Sequence, residues 1–240
     1  MIDGLQRLQD KFGRLADLDG GDRAAIRGLS ATVERVGSAH RLVREGTAPA
    51  DCCLLVDGFA CRYKYSADGE RQIVSFQVPG DMLDLQHLHF SLADHHVETI
   101  TAAEVAWIPK HQLRALAERR PAIAKAMWRD TLIDAAIFRE WVLNVGRRDA
   151  KSRIAHMLCE FVIRCEAAGL GPAEGFGWPM TQEQIGDATG MTSIHVNRML
   201  KAIAADGAIE RTRRGYQIAD WARLRQMGEF DQAYLHAIAA

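Results

Sequence analysis

The sequence predicts an α+β protein with an N-terminal antiparallel β-roll, one long helix and a C-terminal winged helix-turn-helix. Short β-type runs separated by turn residues recur between about residues 38 and 109. Helix formers replace them up to residue 145. The rest of the chain contains two short helical patterns around a glycine, followed by an arginine-rich hairpin pattern. These three observations fix the order of the predicted elements.

Length and composition are those of a globular protein. The chain has 240 residues, of which 48% are hydrophobic and 25% charged, enough to bury the cores of two modest domains. The formal net charge is -1, so any binding of nucleic acid must depend on a local basic surface. The N-terminal segment lacks the apolar core of a signal peptide, and no run is long enough to span a bilayer. We therefore expect a cytoplasmic protein with no membrane partner.

The first predicted domain covers residues 1–109. Two short helices are expected before the β-roll, the second of them capped by Asp22. Turn signals then recur roughly every eleven or twelve residues, at residues 45–46, 57–58, 67–69 and 79–81. The clearest hairpin is "CCLLVDGFACRYKY", because Asp57 and Gly58 suit the positive φ angles of a tight turn. This spacing is typical of a β-sandwich or β-roll.

Residues 110–145 are predicted as the dimerisation-helix segment, in which Pro121 lies in the first turn of a long helix. Its apolar residues cover more than one face, which indicates burial on two sides. One side can pack on the β-roll, and the other most simply packs on its own copy in a second chain, as a two-stranded coiled coil. Burial entirely within the monomer is the alternative. The residues predicted for the dimer contact are Ile123, Met127, Ile137, Trp141 and Val145.

The second predicted domain covers residues 146–240 and opens at a basic hinge. Thr181 and Gln184 have the spacing of a capping box, which predicts the start of a helix. Gly190 permits a sharp turn, and Thr192 can cap a second helix that ends before Gly207. A small hairpin with a basic turn follows. The pattern is that of a winged helix-turn-helix.

The outward face of the second helix has the residue types that read double-stranded DNA. A helix fits the major groove, where Arg can bond to guanine and Asn to adenine. The predicted base-contacting residues are Ser193, Ile194, Asn197 and Arg198. Hydroxyls, amides and cations near the helix starts and on the wing can bind phosphates. The predicted phosphate-contacting residues are Thr181, Gln182, Thr192, His195, Lys201, Arg211, Arg213 and Arg214.

Cysteine and histidine show no firm ligand pattern. The five cysteines have no paired spacing of the zinc or redox type, so we expect buried or partly buried free thiols. Two imidazoles on one strand face could bind a metal or haem, but no carboxylate or cysteine with ligand spacing accompanies them. We therefore expect surface or loop histidines, no metal, no cofactor and no catalytic residue. The histidines in question are His87, His89, His95 and His96.

The chain resembles the CRP/FNR transcription regulators over essentially its whole length. "TQEQIGDATGMTSIHVNRMLKAI" is similar to the family's helix-turn-helix signature, and residues 42–81 are similar to its β-roll. Glycines stand at the family's turn positions, at Gly46, Gly58, Gly69 and Gly80. The resemblance implies a jelly roll of the cyclic-nucleotide-binding type and a homodimer that binds a near-palindromic site. RNA polymerase is the expected protein partner.

Three departures from the family pattern bear on function. No Arg lies between Asp81 and Ile100, so no residue there can pair with a cyclic phosphate, and the effector, if one exists, is not expected to be cyclic AMP. No Cys precedes Cys52, so the N-terminal cluster that holds an iron–sulfur centre in oxygen-sensing members is absent. Arg198 stands at the family's guanine-reading position, but the acidic residue usual four positions earlier is Ile194. We expect a different base pair to be read there, through contact with a thymine methyl.

Two other classes of protein compete with a non-enzymatic DNA-binding regulator. A cupin-like metal-binding protein would use the histidine cluster, but the His-x-His set with Glu and a distant His is missing. A ligand-binding module with a protein-interacting helical tail would share the β-roll and would differ by not binding DNA. The turn pattern favours the regulator.

Overall fold

The computed structural model describes residues 4–213 and 215–239 and divides the chain into two compact units. One unit comprises Met1–Lys64 and Phe76–Ala135, and the other comprises Tyr65–Ser75 and Ala136–Ala240. The first contains most of the β-roll, and the second contains the C-terminal helices.

Two helices precede the β-roll, α1 (Gly4–Leu15) and α2 (Gly20–Arg27). The residue that caps α2 is Asp19, whose carboxylate accepts a hydrogen bond from the backbone N–H of Asp22 at 2.7 Å. Asp22 accepts one in return from the backbone N–H of Asp19 at 3.2 Å. The prediction that Asp22 is the cap was therefore wrong, because Asp22 occupies the N3 position of a capping box whose N-cap is Asp19.

Seven strands form the β-roll as two antiparallel sheets. The strands are β1 (Thr32–Val36), β2 (Arg41–Val43), β3 (Asp51–Asp57), β4 (Ala60–Tyr65), β5 (Arg71–Gln77), β6 (His96–Thr99) and β7 (Ala103–Pro109). One sheet has the order β1-β7-β3 and the other the order β2-β6-β4-β5. Residues from both sheets form a buried core that includes Cys53, Leu55, Val97 and Val105. The predicted all-β region is confirmed.

The predicted hairpin at Asp57-Gly58 does not form as a strand pair. Gly58 adopts a φ of 82°, as a tight turn requires, but β3 pairs with β7 while β4 lies in the other sheet. A turn fixes where the chain reverses and leaves open which strands then bond to each other. Here the chain passes from one sheet to the other at Gly58, where a Cβ would lie 2.4 Å from the Ala102 carbonyl oxygen.

Two helices follow the β-roll, α3 (Lys110–Arg119) and α4 (Pro121–Arg147). They are separated at Arg120, which has the extended angles φ -131° and ψ 90°. A residue before proline is driven out of the helical region by the proline ring, so Pro121 ends α3 and begins α4. The long helix predicted from Pro121 is confirmed.

The burial of α4 corrects the predicted dimer contact. Ile123, Met127, Ile137 and Trp141 are buried within the single chain, and Val145 is half-buried. The first four are therefore not free to contact a second chain, because elements of their own chain already cover that face. The large apolar side chains that α4 exposes are Trp128, Leu132, Val142 and Leu143.

The C-terminal unit is mainly helical. Its elements are α5 (Ala150–Ala167), α6 (Gln182–Thr189), α7 (Ser193–Ala205), β8 (Ile209–Thr212), β9 (Gly215–Ile218) and α8 (Trp221–Met227), followed by a 3-10 segment (Gln232–Ala239). Asp149 caps α5 and accepts backbone hydrogen bonds from Lys151 at 2.9 Å and Ser152 at 3.0 Å. The Ser152 hydrogen bond is the main reason why the pKa of Asp149 is lowered.

Candidate nucleic-acid interface

The turn between α6 and α7 is built as the sequence predicts at each of its ends. The Thr181 hydroxyl accepts from the Gln184 backbone N–H at 3.1 Å, and the Gln184 side chain accepts from the Thr181 N–H at 2.9 Å. Gly190 ends α6 in the left-handed region, with φ 68° and ψ 39°. The Thr192 hydroxyl then caps α7 by accepting from the His195 N–H at 3.3 Å. These caps satisfy backbone donors that the helix starts leave free.

A second glycine in this turn was not singled out from the sequence. A Cβ at Gly186 would lie 2.3 Å from the carbonyl oxygen of Met191, closer than real Cβ atoms ever approach. The Met191 N–H also donates to the Gly186 carbonyl at 3.0 Å. Only a residue without a side chain allows α6 and the turn to approach this closely.

The inner faces of α6 and α7 form a buried core with α5. The buried residues are Ile185, Ala188, Val196, Leu200 and Ile203, together with Ile154, Leu158 and Phe161 of α5. Both helices contact α5. Because these apolar positions are fixed, the remaining positions of α7 must face outward.

The outward face of α7 is short and mostly polar. The exposed residues are Ser193, Ile194, Arg198 and Lys201, as expected for residues that contact DNA. The side chain of Ile194 is 82% exposed. His195 is half-buried. The structure thus presents three of the four predicted base-contacting residues on one open surface.

Asn197 is placed differently from the prediction. It is half-buried, and its amide donates a hydrogen bond to the side-chain oxygen of Gln182 at 3.0 Å. The pair links the first turn of α6 to the middle of α7. Both side chains were predicted to contact DNA, and in this structure each uses one polar group to hold the two helices together.

The wing is a two-stranded antiparallel sheet of β8 and β9. Arg211 and Arg213 are exposed on it, and Arg214 lies outside the described residues. The loop before α6 supports the wing. Gly177 forms an antiparallel β-bridge with Gln217, and the ring of Trp178 stacks on that of Tyr216 with 6.2 Å between the ring centroids. No sequence signal predicts this support, because the loop contains no strand pattern.

The basic residues at the start of α5 mostly serve the domain itself. Arg153 donates to the carbonyl oxygens of Thr189 at 2.7 Å and Arg148 at 3.1 Å, and Lys151 pairs with Asp206 at 2.5 Å. Arg148 pairs with Glu140 at 2.6 Å. These cations hold the ends of α4, α6 and α7 in place.

Two of the four histidines expected at the surface or in loops are buried, although both lie in the connection between β5 and β6. His87 and His95 are buried, His96 is half-buried and His89 is exposed. His87 faces Asp84 at 3.3 Å, and burial together with the charge of Arg62 lowers the pKa of His95. Within the described part of the chain, no group of three or more His, Cys, Asp or Glu could hold a metal ion.

The buried arginine of the β-roll is already committed to its own chain. Arg62 donates to the carbonyl oxygens of Leu83 at 3.0 Å and Met82 at 3.2 Å, and it pairs with Asp134 of α4. It is therefore not available to bind the phosphate of a cyclic nucleotide without breaking these contacts.

The cysteines are free and buried, as predicted. Burial raises the pKa of the thiols of Cys52, Cys53 and Cys159, which keeps them protonated and unreactive.

No helix among the described residues is long and apolar enough to cross a membrane.

Two family models match the chain, and together they match more than half of it. The Crp-like helix-turn-helix domain matches residues 152–227, and the cyclic nucleotide-binding domain matches residues 33–120. The first covers α5, α6, α7 and the wing, and the second covers the β-roll.

Known relatives and a solved structure agree with these models. Transcriptional activator protein FnrL of Cereibacter sphaeroides is 28% identical over 174 residues, which are 71% of this chain and 69% of that protein. Nitrogen fixation regulation protein FixK of Bradyrhizobium diazoefficiens is 27% identical over 176 residues, 72% of each chain. The structure of FixK2 from Bradyrhizobium japonicum superposes with a TM-score of 0.74 at 26% identity, over 83% of this chain and 98% of that one.

FnrL is named a transcriptional activator and FixK a regulation protein, and the FixK2 structure shows the same fold over most of this chain. The chain belongs to the CRP/FNR family of transcription regulators and binds DNA through a helix-turn-helix domain.

Proposed function

We propose that the protein acts in the cytoplasm as a homodimer on a near-palindromic operator, which it reads with α7. The observation that carries this proposal is the open outward face of α7, on which Arg198 has no hydrogen bond or ion pair to any described residue. A free guanidinium in the first half of a recognition helix can bond to guanine O6 and N7 in the major groove. The family's arginine stands at the same position in the helix-turn-helix signature.

The second copy is proposed to pack on the exposed stripe of α4, which consists of Trp128, Leu132 and Val142. These side chains are 70%, 51% and 74% exposed. Their positions fit the alternating spacing of three and four residues that places side chains on the seam of a two-stranded coiled coil. Large apolar side chains aligned in this way mark an interaction surface. This stripe replaces the buried residues first predicted for the contact.

Phosphate contacts are proposed for the rims of the reading face. Thr181, Thr192 and Lys201 are exposed around α7, and Arg211 and Arg213 are exposed on the wing. Each capping hydroxyl accepts from a backbone N–H and keeps its own hydrogen to donate to a phosphate oxygen. Such contacts position the protein and carry no sequence information.

The β-roll is proposed to act without cyclic AMP, because Arg62 is held by its own chain and the segment between Asp81 and Ile100 contains no arginine. We further propose that the functional domains are residues 1–109, 110–145 and 146–240, and that RNA polymerase is a partner of the DNA-bound dimer. An effector of another chemical class is left open by this proposal.

Selection of bound sequences from random duplex DNA tests the proposal. The purified protein is used without added ligand, and again with the small-molecule fraction of a cell extract. Enrichment of a palindrome with half-sites about one helical turn apart, without ligand, supports a dimer that is competent by itself. Enrichment that occurs only when the small-molecule fraction is added supports a β-roll that senses a ligand. Failure to enrich any sequence in either arm refutes the proposal.

A further inference from the structure

Ile194 is exposed to an unusual degree for its residue type. At 82%, it is more exposed than any other large hydrophobic side chain among the described residues. It lies in the first turn of α7, directly after Thr192 and Ser193, where the helix is held by the Thr192 cap. Neither packing within its unit nor helix formation requires an isoleucine there, because β-branched residues are not favoured in helices.

Arg198 lies one turn further along the same face. Residues four apart in a helix are neighbours on its surface, so Ile194 and Arg198 present adjoining apolar and cationic groups. Both are exposed. If α7 enters the major groove, the two side chains reach adjoining base pairs together.

Asn197 does not share this position. Its side-chain amide donates to Gln182 at 3.0 Å, and the residue is half-buried between α6 and α7. An amide that holds two helices in register is not free to form the bidentate pair with adenine that base reading requires.

We propose that Ile194 reads the 5-methyl group of a thymine next to the guanine bound by Arg198, and that Asn197 is a positioning residue. The inference rests on the proposed function and names the base that this part of the site selects. Among the four standard bases, thymine alone presents an apolar group in the major groove. An aliphatic side chain placed against a cytosine amino group or an adenine edge would leave that polar group without a hydrogen-bond partner.

A double-mutant cycle across the interface tests the proposal. Each thymine of the selected half-site is replaced in turn by deoxyuridine, which removes the methyl group and keeps the base pair. Wild-type protein and Ile194→Ala are titrated against both duplexes. At the contacted thymine, loss of the methyl is expected to weaken wild-type binding about fourfold per half-site, the equivalent of one buried carbon group. Binding of Ile194→Ala is expected to be the same on both duplexes.

Two further variants sharpen the test. Ile194→Glu is expected to shift the preference at that position towards cytosine, because a carboxylate accepts from the cytosine amino group. Asn197→Ala is expected to weaken binding equally on thymine and deoxyuridine duplexes and to leave the base preference unchanged at every position. A base preference relaxed at one position by Asn197→Ala would overturn its assignment as a positioning residue.

The outcomes separate this inference from the proposed function. A protein that binds its operator but shows no methyl-dependent loss at any thymine refutes the role of Ile194 and leaves the regulator intact. A protein that binds no selected sequence refutes the proposed function instead. Ile194→Ala is expected to fold normally, since its side chain makes up none of the buried core. Thermal unfolding at the wild-type temperature confirms this.

Discussion

Gly186→Ala is expected to destabilise the helix-turn-helix although it adds only one methyl group. The new Cβ would stand 2.3 Å from the Met191 carbonyl oxygen, and real Cβ contacts essentially never fall below 3.0 Å. The oxygen belongs to the backbone of a tight turn whose own N–H is bonded to Gly186, so it cannot move away as the end of a flexible side chain could. The turn has to open.

The size of the effect follows from two opposing contributions. Forcing a methylene-sized group into a packed region costs about 1–3 kcal/mol, and contact with backbone places this site at the upper end. Alanine in place of glycine within a helix restores about 1 kcal/mol. The expected net loss is therefore about 2 kcal/mol in the free energy of unfolding. For a chain of this size it lowers Tm by about 4–8 °C.

Gly146→Ala is the matched control. Gly146 is helical, and a Cβ there would meet nothing within 4 Å. The same substitution is thus expected to raise stability by about 0.5 kcal/mol. Both variants are unfolded in urea and by heat at one protein concentration, and operator binding is measured in parallel. Equal stability of the two variants would refute the steric reasoning for Gly186.

Three other expectations concern the DNA face, the dimer and a buried histidine. Arg198→Ala should reduce the free energy of binding to the selected operator by about 1–3 kcal/mol. Arg213→Ala should weaken binding to all DNA sequences alike and reduce the slope of log affinity against log salt concentration by about 1. If both variants lost affinity equally on operator and random DNA, this division between base and phosphate contacts would be rejected. Trp128→Glu should convert the dimer to a monomer in sedimentation experiments, because a charge then lies on the apolar stripe, and a dimer that persists would place the interface elsewhere. Burial, reinforced by the charge of Arg148, lowers the pKa of His156 to about 4. Between these pH values the imidazole is protonated in the unfolded chain and neutral in the native chain. The free energy of unfolding should therefore fall by up to about 3 kcal/mol as pH drops from about 6.5 towards 4. His156→Gln should flatten that part of the stability profile.

The sequence predicted the local structure of the site in detail. The capping box at Thr181, the left-handed glycine at Gly190 and the cap at Thr192 are all where the residue pattern put them. Each depends on hydrogen bonds or backbone angles within a few residues, and residues close together in the sequence specify such interactions fully. The same reason explains why Gly46, Gly58, Gly69 and Gly80 all adopt positive φ.

Predictions that needed distant parts of the chain were less complete. The turn at Gly58 was recognised, but its strands belong to different sheets because β3 bonds to β7, about fifty residues away. His87 and His95 were expected at the surface or in loops, and they are buried in the connection between β5 and β6, under the influence of Asp84 and Arg62. A short polar segment gives no sign of what will cover it.

By itself, the sequence determined the order of the elements and the position of the helix-turn-helix, because these follow from periodicity, turn residues and caps, while the resemblance of its motifs indicated the family. Tertiary structure alone decided which apolar face of α4 its own chain covers, and so left Trp128 rather than Trp141 exposed. It also decided that Asn197 bonds to Gln182 while Ile194 remains open to solvent. Burial and side-chain pairing depend on which surfaces meet in space, and residues far apart in the chain settle that.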